Sequence, residues 1–156
     1  MSRVLAIDPG IDTGWAEGRI EDKQVIVDRH GWTPWRKFCS ALDDKRADWP
    51  FDLVVYEKWA LTKHGATVLL GSDMQSSQCI GCIWLCASKV GCPIVVQPPA
   101  IKNTVDKWMG GTGYLPESDV DHNRDAIRHL YYYALKPANE TGVPIPTTLK
   151  EIPSAT

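Results

Sequence analysis

The chain has no apolar stretch close to the roughly 18 residues that a membrane span requires. Its opening, "MSRVLAIDPG", also lacks the basic-then-apolar shape of a secretory leader. Both absences lead to the expectation of an intracellular protein with no membrane partner. There is no internal repeat, and no low-complexity block before the end, so 156 residues are read as one domain with a proper core. A disulfide framework is lacking as well: the cysteines number five, an odd count in a chain of this address. Cys79-x-x-Cys82 has the spacing of a zinc half-site, but no second pair or Cys/His couple completes it. A basic excess is missing too. Lys and Arg total 17 against 19 Asp and Glu, a net charge of −2, which counts mildly against a nucleic-acid partner. That weight is small, because acids gathered around bound metal ions are neutralised locally, and what matters is where the positive charges sit.

What is present is an ordinary globular composition, 44% hydrophobic and 23% charged. Residues 3–8 read as a buried strand, and 13–20 and 24–30 as two more joined by the polar turn Glu21-Asp22-Lys23. This predicts an antiparallel three-stranded start. Thr33 as N-cap with Pro34 at the first helical position predicts a helix to about Asp48, ended by Trp49-Pro50. "FDLVVYEKW" (51–59) holds a second continuous apolar run, too apolar for an edge strand. A short segment around 61–70, a helix at 73–90, a strand at 92–97 and a helix at 100–108 follow. "MGGTGYLPES" (109–118) is loop by composition. Ser118 and Asp121 have capping-box spacing for a last helix. Its apolar side carries Val120, Ile127, Leu130, Tyr131 and Ala134, and its other side Asp121, His122, Asp125 and His129. The Pro- and Thr-rich residues 137–156 read as an irregular tail after a domain of residues 1–136.

Two buried strands each end in an acid, Asp8 and Glu57. Taken singly, Asp8 before Pro9-Gly10 is a turn former, Glu57 a strand-end acid, and Asp121, His122 and Asp125 a solvated helix face. Together they form an oxygen-rich set with one imidazole, the donors that magnesium or manganese takes. His122 and Asp125, at i and i+3, share one side of a helical turn. Few things other than a metal compensate so many like charges in one place. Cys79, Cys82 and Cys86, at i, i+3 and i+7, form one stripe of small apolar residues, read first as packing against the core.

"VLAIDPGIDTGWA" resembles the first strand and turn of RuvC-type Holliday-junction resolvases, members of the ribonuclease H-like (retroviral integrase) superfamily. "LVVYEKW" is similar to their second acidic strand, "HNRDA" to the acid pair on their last helix, and "IKNTV" (101–105) to the segment that carries a phosphate-contacting lysine. Order and rough spacing agree over about residues 3–135. The resemblance implies an α/β, ribonuclease H-like fold: a mixed central five-stranded sheet, three antiparallel strands first and then two more, flanked by helices. It implies that Asp8, Glu57, His122 and Asp125 are the metal and catalytic residues, with Asp121 a spare, and that two Mg2+ ions, replaceable by Mn2+, sit among them. The implied reaction is an in-line attack on a phosphodiester, leaving 5′-phosphate and 3′-hydroxyl ends. His122 is then either a neutral ligand or a proton-transfer group.

Phosphate contacts are expected from Lys102 above all, then Lys107, Lys58, Lys63, His64, Arg124 and Arg128, while Trp59 stands where family members carry a base-stacking aromatic. Symmetric cutting of a four-way junction calls for a homodimer. The family places the helix at about 73–90 in that interface, which gives the cysteine stripe a second reading as a seam between subunits. One departure stands out: where the bacterial enzymes carry a further helix with a second basic residue, only about twenty residues separate Lys102 from His122. Lys107 is the substitute for that charge, and the compactness resembles bacteriophage-encoded members, which would act in a bacterial host cytoplasm.

Rival readings share parts of this pattern. Actin-like ATPases begin with a similar strand and turn but need two such domains, and 156 residues leave no room for them. A ribonuclease H-like nuclease of broader specificity, acting on RNA or on flap and fork DNA, keeps the metal site and changes the substrate. A non-catalytic junction-binding module would keep binding and lose cleavage.

Overall fold

The computed structural model describes residues 1–22, 24–59, 74–118 and 120–140, and the side chains up to residue 136 within them. Strands β1 (Ser2–Asp8), β2 (Asp12–Glu21), β3 (Gln24–Pro34), β4 (Leu53–Glu57) and β5 (Ile94–Gln97) form one sheet in the order β3-β2-β1-β4-β5. The first three pair antiparallel, and β4 and β5 join them in parallel, so the sheet is mixed as the sequence predicts. Helices α1 (Trp35–Asp44), α2 (Gln75–Lys89), α3 (Ile101–Trp108) and α4 (Asp121–Glu140) cover it, with a short 3-10 turn at Lys45–Asp48.

Strand alternation divides the core in two. Val4, Ala6, Ala16, Leu53 and Val55 face α3 and α4, where Ile101, Val105, Ile127 and Leu130 meet them. Leu5, Ile7, Val54 and Tyr56 face α1 and α2, where Phe38, Leu42, Cys79 and Ile83 close the opposite side. Because β1 and β4 lie inside the sheet with helices over both faces, Val4–Ile7 and Leu53–Tyr56 are buried at every position.

Gly14 governs how α4 enters. A Cβ on Gly14 would stand 1.9 Å from the His122 carbonyl oxygen, so the first turn of α4 rests on bare β2 backbone.

Several boundaries differ from the sequence reading. Thr33 and Pro34 complete β3, paired with Thr13 and Asp12, so α1 starts at Trp35 with no side-chain cap. β4 is confined to Leu53–Glu57, with Phe51 and Trp59 outside it. Among the described residues Ser118 hydrogen-bonds to the N–H and carbonyl of Val120, a local turn before α4 in place of a capping box. The last helix runs to Glu140, four residues into the segment read as tail; residues 141–156 and the segment at 61–70 lie outside the described residues. All five cysteines are free thiols. Cys79 and Cys86 are buried in this chain's own core, which corrects the subunit-seam reading of that stripe. The outward side of α2 instead shows Gly81, Trp84 and Leu85.

Candidate active site

Asp8, Glu57 and Gln97 are the last residues of β1, β4 and β5, and each continues the alternation that faces α4. Asp8 pairs with Gly14, Glu57 pairs with Gln97, and Ile7 pairs with Tyr56 just before the two acids. The register therefore sets Asp8 and Glu57 side by side on neighbouring strands, whose spacing is about 4.8 Å. The first three turns of α4, whose start is held close by Gly14, bring His122, Asp125 and His129 over this row.

Each acid has a specific partner. His122 Nδ1 lies 2.7 Å from Asp8 Oδ2. Lys102, from the first turn of α3, places Nζ 2.8 Å from Glu57 Oε2 and 2.7 Å from Asp125 Oδ2. Glu57 Oε2 also accepts from His129 Nε2 at 2.9 Å, and His129 Nδ1 meets Gln97 Oε1 at 2.7 Å. With Nε2–H committed to the Glu57 carboxylate, the Gln97 amide can turn its NH2 group to the lone pair of Nδ1, so both ring nitrogens are held. Asp125 Oδ1 accepts from Arg128 Nη1 at 2.7 Å.

The electrostatics follow from these contacts. The hydrogen bond to Asp8 raises the His122 imidazole above its ordinary pKa, against an opposing effect of burial. Burial pushes the Glu57 carboxyl up, but His129 and Lys102 outweigh it and leave the group below the usual carboxylate value. Burial likewise lowers Lys102, and Asp125, Glu57 and the charge of Asp8 together carry it above the ordinary lysine value. Asp8, Glu57 and Asp125 thus act on one ammonium, which is a single electrostatic site built from four elements.

The predicted metal centre can be compared with this arrangement directly. Among the described residues no three His, Cys, Asp or Glu side chains converge on a point where a metal ion could sit. The four predicted ligands fall into two pairs, Asp8 with His122 and Glu57 with Asp125, the second bridged by Lys102. The donor chemistry nonetheless fits a hard divalent cation: three carboxylates and one imidazole stand on a shared wall, and two of the carboxylates already hold a positive charge between them.

The remaining predicted residues sort clearly. Lys58 is exposed just beyond Glu57, with its N–H donating to the Gln97 carbonyl at 2.7 Å, and Trp59 beside it is half-buried. Lys107 is exposed on α3. Arg124 reaches exposed Asp121 at 3.4 Å, and Asp121 points away from the acid row to solvent. Lys63 and His64 lie outside the described residues. Arg128 is corrected: its guanidinium is tied to Asp106 and Asp125 with 11% of its side chain exposed, so it is an internal bridge and not a surface phosphate contact.

Sequence reasoning missed His129 and Gln97 as parts of the site. His129 is fully buried, where the helical pattern had put it on a solvated side with Asp121. A signal was available: His129 follows Asp125 by four positions on α4, and Gln97 ends β5 as Glu57 ends β4.

No protein-family model matches the chain, and no curated protein matches its sequence. Solved structures do match. The chain is similar to Thermus thermophilus RuvC in complex with a Holliday junction substrate, with a TM-score of 0.65 and 14% identity, covering 86% of this chain and 95% of that one. It is also similar to the fowlpox virus resolvase in complex with Holliday junction DNA, with a TM-score of 0.60 and 12% identity, covering 85% of this chain and 99% of that one. The fold is therefore that of the RuvC-type resolvases, as the motifs at Asp8, Glu57 and His122–Asp125 imply.

Proposed function

We propose that the chain is a metal-dependent, structure-selective DNA endonuclease that resolves Holliday junctions and related branched DNA by paired symmetric nicking. The observation that carries this reading is the row of Asp8 and Glu57 at adjacent strand ends, faced by His122 and Asp125, with Lys102 among them. The similarity of the fold to two junction-resolving proteins supports the same substrate class.

Asp8, Glu57, His122 and Asp125 would hold two Mg2+ ions, for which Mn2+ would substitute. Such ions, when bound, neutralise the phosphodiester, acidify a water and stabilise the leaving 3′ oxygen. The chain's own groups do the rest. Lys102 is the cation that Glu57 and Asp125 share, and it exchanges these carboxylate partners for a phosphate oxygen as the strand arrives. His129, fixed by Gln97, keeps Glu57 Oε2 oriented. Asp8 keeps the proton at His122 Nδ1, which orients the imidazole toward the acids. Lys58, Lys107 and Arg124 contact flanking phosphates, and Trp59 offers a face to an unpaired base.

Two cuts on a two-fold junction need two such sites. Trp84 and Leu85, 46% and 56% exposed on the outward side of α2, support a homodimer through that helix. Leu85→Glu should halve the mass seen by light scattering if that face is the interface. No described helix is long and apolar enough to cross a membrane.

The test is cleavage of a labelled four-way junction beside a matched duplex, a fork and an RNA, with Mg2+ or chelator, for wild type and Asp8→Asn. Paired nicks that need the ion and vanish in the variant establish the reading. Equal cutting of the duplex or RNA would keep the nuclease and remove the junction; binding without any cleavage would leave a junction-binding module.

A further inference from the structure

Three residues outside the four predicted metal ligands form a continuous hydrogen-bonded path to one of them, Asp125. Tyr114, in the glycine-rich segment between α3 and α4, is buried, and its hydroxyl donates to Asp106 Oδ1 at 2.7 Å. Asp106, on α3, takes the Arg128 guanidinium in a two-bond fork: Nε to Oδ1 and Nη2 to Oδ2, both at 2.9 Å. Arg128 then uses its remaining arm, Nη1, on Asp125 Oδ1 at 2.7 Å. A fork that is planar and fixed leaves that arm little freedom.

Two rungs consequently tie α3 to α4. Lys102 and Asp106 are four apart on α3, and Asp125 and Arg128 three apart on α4, so Lys102–Asp125 and Asp106–Arg128 cross between the same two helices. The rungs differ in what they can give up. Lys102 is shared with Glu57 and is needed elsewhere once a phosphate arrives, whereas among the described residues the ion pairs of Arg128 are with Asp106 and Asp125. When Lys102 leaves Asp125, Arg128 alone holds that carboxylate.

We infer that Arg128, locked by Asp106 and Tyr114, is a positioning residue for Asp125: it occupies Oδ1, fixes the plane of the carboxylate, and leaves Oδ2 as the single oxygen presented to the site. The path also explains how a chain with a glycine-rich segment in place of a further helix can keep its last acid in place. Tyr114 anchors the segment to the same Asp106, and stacks edge-on against Tyr131 of α4 at 5.1 Å. The inference rests on the nuclease reading above for its activity readout, and on Asp125 as an ion ligand for its binding readout.

The test uses the full chain with Arg128→Lys, Asp106→Asn and Tyr114→Phe, each checked by thermal melting for an intact fold. Mn2+ affinity is measured calorimetrically without DNA, and kcat and KM for junction nicking separately. Outer partners of a ligand typically change affinity or activity by about 10- to 100-fold. We expect a loss of that order in Mn2+ affinity and in kcat for Arg128→Lys and Asp106→Asn, a smaller loss for Tyr114→Phe, and a KM within about twofold of wild type. Unchanged Mn2+ affinity and kcat in folded Arg128→Lys would overturn the inference. So would a rise in KM with kcat intact, which is the mark of a phosphate contact. Wild type that binds Mn2+ but nicks nothing would remove the nuclease reading and leave the affinity comparison to decide the role of Arg128.

Discussion

The two faces of the sheet are made by the same strands and have little else in common. On the α1–α2 face, Ile7 and Tyr56 bring the apolar lining almost to the strand ends, and thiols fill the gaps: Cys79, Cys82 and Cys86 from α2, with Cys39 from α1. On the α3–α4 face the lining has already stopped at Ala6, Val55 and Val95, and the strand ends there are polar: Asp8, Glu57 and Gln97. A single step in strand parity separates a dry interior from a cluster of paired charges. The difference teaches that the site is a property of register: moving β1 or β4 by one residue would turn its acid into the cysteine-lined core, where nothing could pair it.

That contrast can be broken from either side. The largest effect belongs to the acids. Glu57→Gln should lower nicking by more than about 100-fold, the upper range for loss of an outer partner, while the melting temperature stays near wild type; a labelled-junction assay and calorimetry together read both. Gly14→Ala should blur the contrast by displacing the start of α4, costing about 3 kcal/mol or more, with nicking falling alongside stability in a urea titration. Ile83→Ala acts only on the other face. It should cost about 2–5 kcal/mol of stability and leave kcat per folded molecule unchanged.

The smallest effect separates two histidines of one face by sign. His30 is buried, with Nδ1 3.4 Å from Asn123 Nδ2 and no partner at Nε2 among the described residues, and burial lowers its pKa. As pH falls below the ordinary value of about 6.5, the unfolded chain takes up a proton that folded His30 refuses, so the stability it contributes is lost on acidification. His122 is raised by Asp8, so its contribution is present below about pH 6.5 and is lost as pH rises through the folded value. Melting curves against pH should lose the acid-side slope in His30→Gln and keep it in His122→Gln.

Much of this was legible in the sequence because it depends on order along single elements. A buried strand that ends in an acid announces itself, and Asp8 and Glu57 do so twice with the same parity. His122 and Asp125 share a helical turn for reasons local to α4. The boundary at Thr33–Pro34 was misjudged because capping signals there compete with the pairing of β3 to β2, and the ladder wins. His129 and Arg128 were misassigned for a different reason. A polar helix side reads as solvated, yet α3 and the strand ends cover this one through partners 32, 72 and 22 residues away, at Gln97, Glu57 and Asp106. No periodicity reports a neighbour of that kind.

Lys102 has a consequence of its own, in the language of thermodynamic coupling. One ammonium is the shared counter-ion of two carboxylates on different elements. Any anion that draws it away strips both acids of their neutralisation at the same moment, and so raises their joint affinity for a cation from solution. Reciprocity makes the same factor act in reverse: a cation taken up by the acids releases Lys102 and tightens the hold on the anion. Through one side chain, an anion and a cation binding here would be cooperative without any movement of the fold.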